Sequence, residues 1–366
     1  MKPRERMEAA LRCEPVDHVP IFMWYHPDTA RHLGELLEIP PGRVAEAMGD
    51  DVRQAWVGNN YAMEGITHEQ EGQGHVDSWG VEWVKVGAFN QIRRFPLQEA
   101  DRDQILSYQY PYDRIDELMR NMEPVASDGS EEKFWIGCDV APVQFEMVFR
   151  LRGMENALLD MIADPEISEA MLEQAASFAV RISEVACQRF PLDWLFVGDD
   201  VGGQQGMIMS PQMWRKMIRP HLARVFDVGR SNGVWVAYHS CGSIRPIIPD
   251  LIEIGVQVLN PIQCNCPGME AFELKREFGK DLAFMGGVDT QDLLPNGTAD
   301  EVRRKTARLI EGMTADGGGY ILAASHTVPP ETLDENIFAM YEAAGVSREE
   351  IFDRAADIRA RATSSP

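Results

Sequence analysis

The sharpest chemical feature of the 366-residue chain is His239-Ser240-Cys241, which follows the apolar run Val234–Tyr238. On an extended strand, residues i and i+2 point the same way, so one imidazole and one thiolate converge as zinc ligands do. The plain alternative is a buried thiol beside a hydrogen-bonded histidine. A catalytic zinc keeps an open position next to about three protein ligands, so a third donor is required. His326, after the run Tyr320–Ala323, is the first candidate and Cys264 the second. Cys264 and Cys266 read otherwise as free loop thiols, and no Cys-x2-Cys pair supports a closed zinc ribbon.

Other reactive types collect after short apolar runs. They are Trp24, Tyr25 and His26; Cys138 and Asp139; Asp199 and Asp200; Tyr238; Gln263; and Gly286-Gly287 with Asp289. Adjacent residues on a strand diverge, so only one of Asp199 and Asp200 is expected to face a site; the plain alternative is that one of them merely caps the following loop and helix. Asp289 carries the same two readings. Trp24, Tyr25 and Met207-Ile-Met209 are candidates for an apolar wall, and His26, Tyr238, Gln263 and Asp289 for polar substrate contacts. Gly202-Gly203 with Gly206 lacks the G-x-G-x-x-G spacing, and Gly317–Gly319 precedes a strand, so neither is a phosphate loop.

What must position these groups is a set of eight apolar runs: Pro20–Tyr25, Val52–Val57, Phe134–Gly137, Trp194–Val197, Val234–Tyr238, Val256–Asn260, Leu282–Met285 and Tyr320–Ala323. Most lack in–out alternation and read as buried parallel strands. Helices intervene: Ser210-Pro211 opens one carrying Trp214, Met217, Ile218 and Leu222, and Thr298 with Glu301 forms a capping box for another. The alternation predicts an α/β chain, a (β/α)8 TIM-type barrel with the reactive residues on its C-terminal rim; a doubly wound open sheet is the alternative. Gly74–Phe95, with Trp79, Val81 and Trp83 alternating, is expected to be an inserted β-hairpin beside an N-terminal elaboration. Residues 1–366 are expected to form one domain, its only linker-like stretch being the polar run Ser127 to Lys133.

Composition excludes other classes. Apolar residues at 45% and charged residues at 25% are globular proportions. With 35 Lys and Arg against 58 Asp and Glu, the net charge of −23 repels phosphate backbones and anionic lipid, so neither nucleic acid nor membrane is expected as a partner. Six sparse cysteines and no apolar N-terminal h-region point to a cytoplasmic protein. A homodimer is the default assembly.

The blocks Gly198-Asp-Asp-Val-Gly, Met209-Ser-Pro-Gln-Met-Trp, His239-Ser-Cys-Gly-Ser-Ile, Leu259-Asn-Pro-Ile-Gln, Gly286-Gly-Val-Asp-Thr-Gln and Gly317-Gly-Gly-Tyr-Ile-Leu-Ala-Ala-Ser-His, then Pro329-Pro-Glu-Thr, occur in order. Through them the chain resembles the uroporphyrinogen decarboxylase superfamily from about Asp193 to Ala344, with weaker likeness back through Leu151-Arg-Gly-Met-Glu-Asn to Arg4-Glu-Arg-Met. The zinc-dependent, corrinoid-linked methyltransferase branch is the nearer one. Its His-x-Cys motif maps onto His239 and Cys241, whereas its last cysteine falls on or beside His326. The decarboxylase branch has a final-loop histidine, but also an arginine signature after the first strand; here that region reads Ile21-Phe-Met-Trp-Tyr-His-Pro.

The resemblance implies a methyl group moved between a small methylated substrate and a thiol or a corrinoid, the corrinoid arriving on a separate protein. A metal-free decarboxylase or lyase using Asp199 or Asp200 with His326 is the rival enzyme. A non-catalytic barrel holding a small ligand is the rival from another class.

Overall fold

A computed structural model describes residues 1–59, 68–129 and 133–364. Seven of the eight expected strands are present: β1 (Val52–Trp56), β2 (Trp135–Asp139), β3 (Trp194–Gly198), β4 (Trp235–His239), β5 (Val258–Ile262), β6 (Ala283–Val288) and β7 (Tyr320–Ala324). Neighbours in the chain pair in order, β2 with β3 and β3 with β4, then β5 with β6 and β6 with β7. In β2, β3, β5 and β7 every residue is buried, the pattern of strands covered on both faces. The chain divides into two compact units. One comprises Met1–Arg53, Glu131–Trp135 and Val258–Pro366, the other Gln54–Ser130 and Ile136–Gln257.

In the first unit, β5, β6 and β7 pair in parallel. The eighth expected strand, Pro20–Tyr25, runs beside β7 but makes only isolated bridges, Ile21 with Leu322 and Tyr25 with Val328. On that side its bonds are regular: Phe22 N donates to Leu322 O at 3.0 Å and Leu322 N to Pro20 O at 2.8 Å. On the other side the Ile21 amide donates to the Asp51 carboxylate at 2.8 Å and the Met23 amide to Asp50 at 2.9 Å. Two side chains thus take the place of a strand partner, and the segment is a stave without being a ladder strand.

Both carboxylates are almost wholly buried. Asp51 meets the Arg6 guanidinium, which also binds Asp17 through Nε at 2.7 Å and Nη2 at 3.0 Å. Asp50 accepts from the Tyr341 hydroxyl, which in turn contacts that of Tyr25. Burial pushes the Asp50 carboxyl up to about 7, against the opposing hydrogen bonds from Tyr341 and Met23. Since its folded pKa lies above the unfolded value, Asp50 supports the fold fully below about pH 4 and loses that support as pH rises to about 7. Asp50→Asn keeps a neutral donor–acceptor pair and is expected to flatten this decline. Urea unfolding at about pH 4.5 and about pH 7.5 checks it: the variant should gain on wild type at the higher pH.

The second unit holds β3, β4 and most of β1 and β2, with β2–β3 and β3–β4 parallel. The expected helix after Ser210 divides at Ile218 into Pro211–Met217 and Arg219–Ser231. Pro220 has no amide proton to continue the first helix, and it sits in the first turn of the second. Ser210 caps as expected, its hydroxyl accepting from Met213 N at 3.1 Å. In the first unit, Thr298 and Glu301 form the expected capping box.

The inserted segment is larger than a hairpin: Gly74–Val76, Glu82–Val86 and Phe89–Arg94 form a three-stranded antiparallel sheet. Its hub is buried Asp77, which accepts from the amides of Trp79 and Val81, both at 2.9 Å, and from Trp83 Nε1 at 2.7 Å. Of the polar run Ser127 to Lys133, Ser127 ends in the helix Met122–Gly129, and residues 130–132 lie outside the described residues.

Candidate metal centre

β3 and β4 end in register, Gly198 opposite His239, and the Asp199 amide donates to the His239 carbonyl at 3.0 Å. Cys241 leaves the strand two residues later, and its Sγ lies 3.4 Å from His239 Nε2. Asp200 closes the group: its Oδ1 accepts from the Cys241 amide at 2.8 Å and stands 3.6 Å from His239 Nε2. The glycines explain how two loops come so close. A Cβ on Gly202 would lie 2.3 Å from the Cys241 carbonyl oxygen, and one on Gly242, at φ +79, would lie 2.7 Å from the Gly202 carbonyl carbon. The run Gly202-Gly203 therefore serves backbone-to-backbone packing under the Cys241 turn.

Asp199 and Asp200 diverge as neighbours on a strand must. Asp199 Oδ1 accepts the amides of Gln144 at 3.2 Å and Glu146 at 2.8 Å, capping the helix Phe145–Arg152. The helix it caps follows β2, earlier in the chain, and is not the following helix that the sequence suggested. Burial pushes its carboxyl up to about 8, against the amide of Glu146, and its Oδ2 has no partner among the described residues. Tyr238 is fully buried and donates its hydroxyl to the Asp199 carbonyl at 3.0 Å. Asp139 is also fully buried, accepting from Ala141 N at 2.9 Å and Gln54 Nε2 at 3.1 Å, and burial drives the neighbouring Cys138 thiol upward.

Glu146 was not singled out by its sequence. Its Oε2 accepts from the Asp200 amide at 3.4 Å and its Oε1 from Arg150 Nη2 at 2.6 Å. Burial pushes the carboxyl up, while Arg150 opposes the shift. An acid and an arginine four apart read as an ordinary surface helix pair, which hid it. The one available signal was an acidic residue in the first turn of a helix that follows a strand end. Gln144, fully buried with neither amide atom partnered among the described residues, was missed for the same lack of pattern.

In the first unit, His326 follows β7 and meets the Trp24 ring edge-to-face, centroids 6.4 Å apart. Tyr25 turns its hydroxyl to Tyr341. His26 caps the helix Pro27–Leu37, its Nδ1 accepting from Asp28 N at 3.1 Å. Gln263, buried at the end of β5, accepts through its carbonyl from Cys266 N at 2.9 Å. Burial pushes the Cys264 thiol upward. Asp289 caps its own turn, accepting from Gln291 N at 2.8 Å and Leu293 N at 3.3 Å.

The chain belongs to the uroporphyrinogen decarboxylase family, whose model matches residues 81–345. It is similar to a methylated-thiol–coenzyme M methyltransferase of Methanosarcina mazei, 23% identical over 198 residues, which is 54% of this chain and 51% of the relative. That match spans about half the length of the curated relative. A solved methyltransferase from Methanosarcina mazei shares the fold at a TM-score of 0.69 and 19% identity, covering 94% of this chain and 98% of its own, and with the strand order it places the chain among α/β TIM-type barrels.

Proposed function

We propose that the protein is a zinc-dependent methyltransferase, moving a methyl group between a small methylated molecule and a thiol or a corrinoid carried by a separate protein. The carrying observation is the 3.4 Å between His239 Nε2 and Cys241 Sγ. A tetrahedral zinc with Zn–S of about 2.3 Å and Zn–N of about 2.0 Å separates two such donors by about 3.5 Å, so this donor pair fits the ion. His326 is proposed as the third ligand on the family likeness, since it lies on or beside the place where the zinc-dependent branch carries its last donor.

When bound, zinc would activate a thiolate or draw charge from the atom that bears the methyl group. The chain's own residues do the rest. Asp200 fixes the Cys241 turn through its amide and stands beside the His239 ring, and Asp199 anchors the adjoining helix. Trp24, Tyr25, His26, Gln263 and Asp289 in the first unit, and Tyr238 in the second, are each proposed as substrate contacts. The corrinoid partner rests on the family likeness alone, while the relative's name, a methylated-thiol–coenzyme M methyltransferase, supports a methylated thiol as substrate. Among the described residues no helix is long and apolar enough to cross a membrane.

Family membership also favours a second reading, a metal-free decarboxylase or lyase. There Asp199, whose raised pKa keeps it protonated at neutral pH, would act as an acid with Asp200 and His326. One experiment separates the two: metal analysis of wild type purified with zinc, followed by methylation of reduced cobalamin from a panel of methyl ethers, thioethers and amines. Stoichiometric zinc and a methylcobalamin spectrum are expected. Wild type without zinc overturns the proposal.

A further inference from the structure

The contacts of Glu146 continue away from the His239–Cys241 pair and end in the inserted sheet. Arg150, one helical turn on, gives Nη2 to Glu146 at 2.6 Å and Nη1 to the Asn59 side-chain oxygen at 3.0 Å and to the Asn59 carbonyl. Its guanidinium lies 5.4 Å from the centre of the Trp83 ring. Asn59 passes the connection on, donating Nδ2 to Asp77 Oδ2 at 2.7 Å, and Trp83 Nε1 donates to that same oxygen at 2.7 Å. Both oxygens of Glu146, both of Asp77 and Oδ1 of Asp200 have partners that are themselves held. A part-buried polar path of this kind adds little net stability, but it sets geometry.

We propose that Glu146 is a positioning residue for the His239–Cys241 pair, and that Arg150 holds it in place by tying it to the inserted sheet. Glu146 grips the Asp200 backbone; Asp200 in turn grips the Cys241 amide and stands against His239. The inserted sheet thereby acts as a brace for the ligand pair. This inference rests on the zinc reading above.

The test uses full-length protein loaded with zinc or cobalt(II). Wild type is expected to show a thiolate-to-cobalt charge-transfer band. Glu146→Gln and Arg150→Met should shift the cobalt d–d bands and weaken zinc binding about 10- to 100-fold in chelator competition, as loss of an outer-shell partner does. Arg150→Lys keeps the charge beside Glu146 but loses the two-sided fork, so it should fall between; it carries the test if the harsher variants do not fold. Arg152→Met is the control. Arg152 lies on the same helix and binds Asp160 at 2.8 Å and the Leu97 carbonyl at 2.7 Å, away from the pair, so its loss should lower stability and leave zinc affinity unchanged. Unchanged affinity and spectra in the Glu146 and Arg150 variants, or equal weakening in Arg152→Met, overturns the brace alone. A wild type lacking the charge-transfer band overturns the zinc reading and the brace with it.

Discussion

Cys241→Ala is expected to lose zinc and methyl transfer together. With the thiolate gone, the proposed donor set keeps two imidazoles, below the about three protein ligands a catalytic zinc retains. The fall in affinity should exceed about 100-fold, the upper end of what an outer-shell change produces. His239→Ala should behave alike, because the 3.4 Å pair is broken from its other side. Metal content per chain after equilibration with a chelator measures the effect. The fold should survive, since Cys241 sits in a turn held by backbone contacts from Gly202 and by the Asp200 carboxylate on its amide. Full zinc occupancy in Cys241→Ala would count against the proposed ligand set, and activity retained without the thiol would favour the metal-free reading.

Arg6→Met is expected to produce the largest loss of stability, about 3–5 kcal/mol, the usual cost of removing one partner from a buried ion pair. Asp51 is 0% exposed, and its second oxygen is committed to the Ile21 amide. Without Arg6 its charge loses the guanidinium paired with it, and the first stave loses a firm anchor. Burial already pushes the Asp51 carboxyl up in the presence of Arg6. Removing the guanidinium pushes it further, so the penalty should shrink as the pH is lowered and the carboxyl takes up a proton. Arg6→Met with Asp51→Asn should recover part of the loss, because the buried charge is gone. Urea unfolding of the two single variants and the double variant closes the cycle.

His239 and Cys241 were legible because a strand's two-residue period is a local property: an apolar run that ends at such a spacing aims both side chains one way. The same locality revealed the divergence of Asp199 from Asp200, the Ser210 and Thr298 caps, and seven of the strands. The first stave was legible as an apolar run but not in its bonding. Its amides are satisfied by Asp50 and Asp51, 27 and 30 residues further on, and nothing in Pro20–Tyr25 announces partners at that distance. Gly202-Gly203 could be excluded as a phosphate loop from its spacing, yet its service as the seat of the Cys241 turn appears only when two loops meet.

Sequence alone determined the donor types, their spacing and the strand ends that carry them, since these follow from chirality and backbone period within a few residues. Tertiary structure alone decided which carboxylates stand beside the pair, that Glu146 faces Asp200 instead of water, and that an inserted sheet reaches Glu146 through Arg150. Those choices depend on which surfaces are buried against each other, and burial is a property of the whole packed chain.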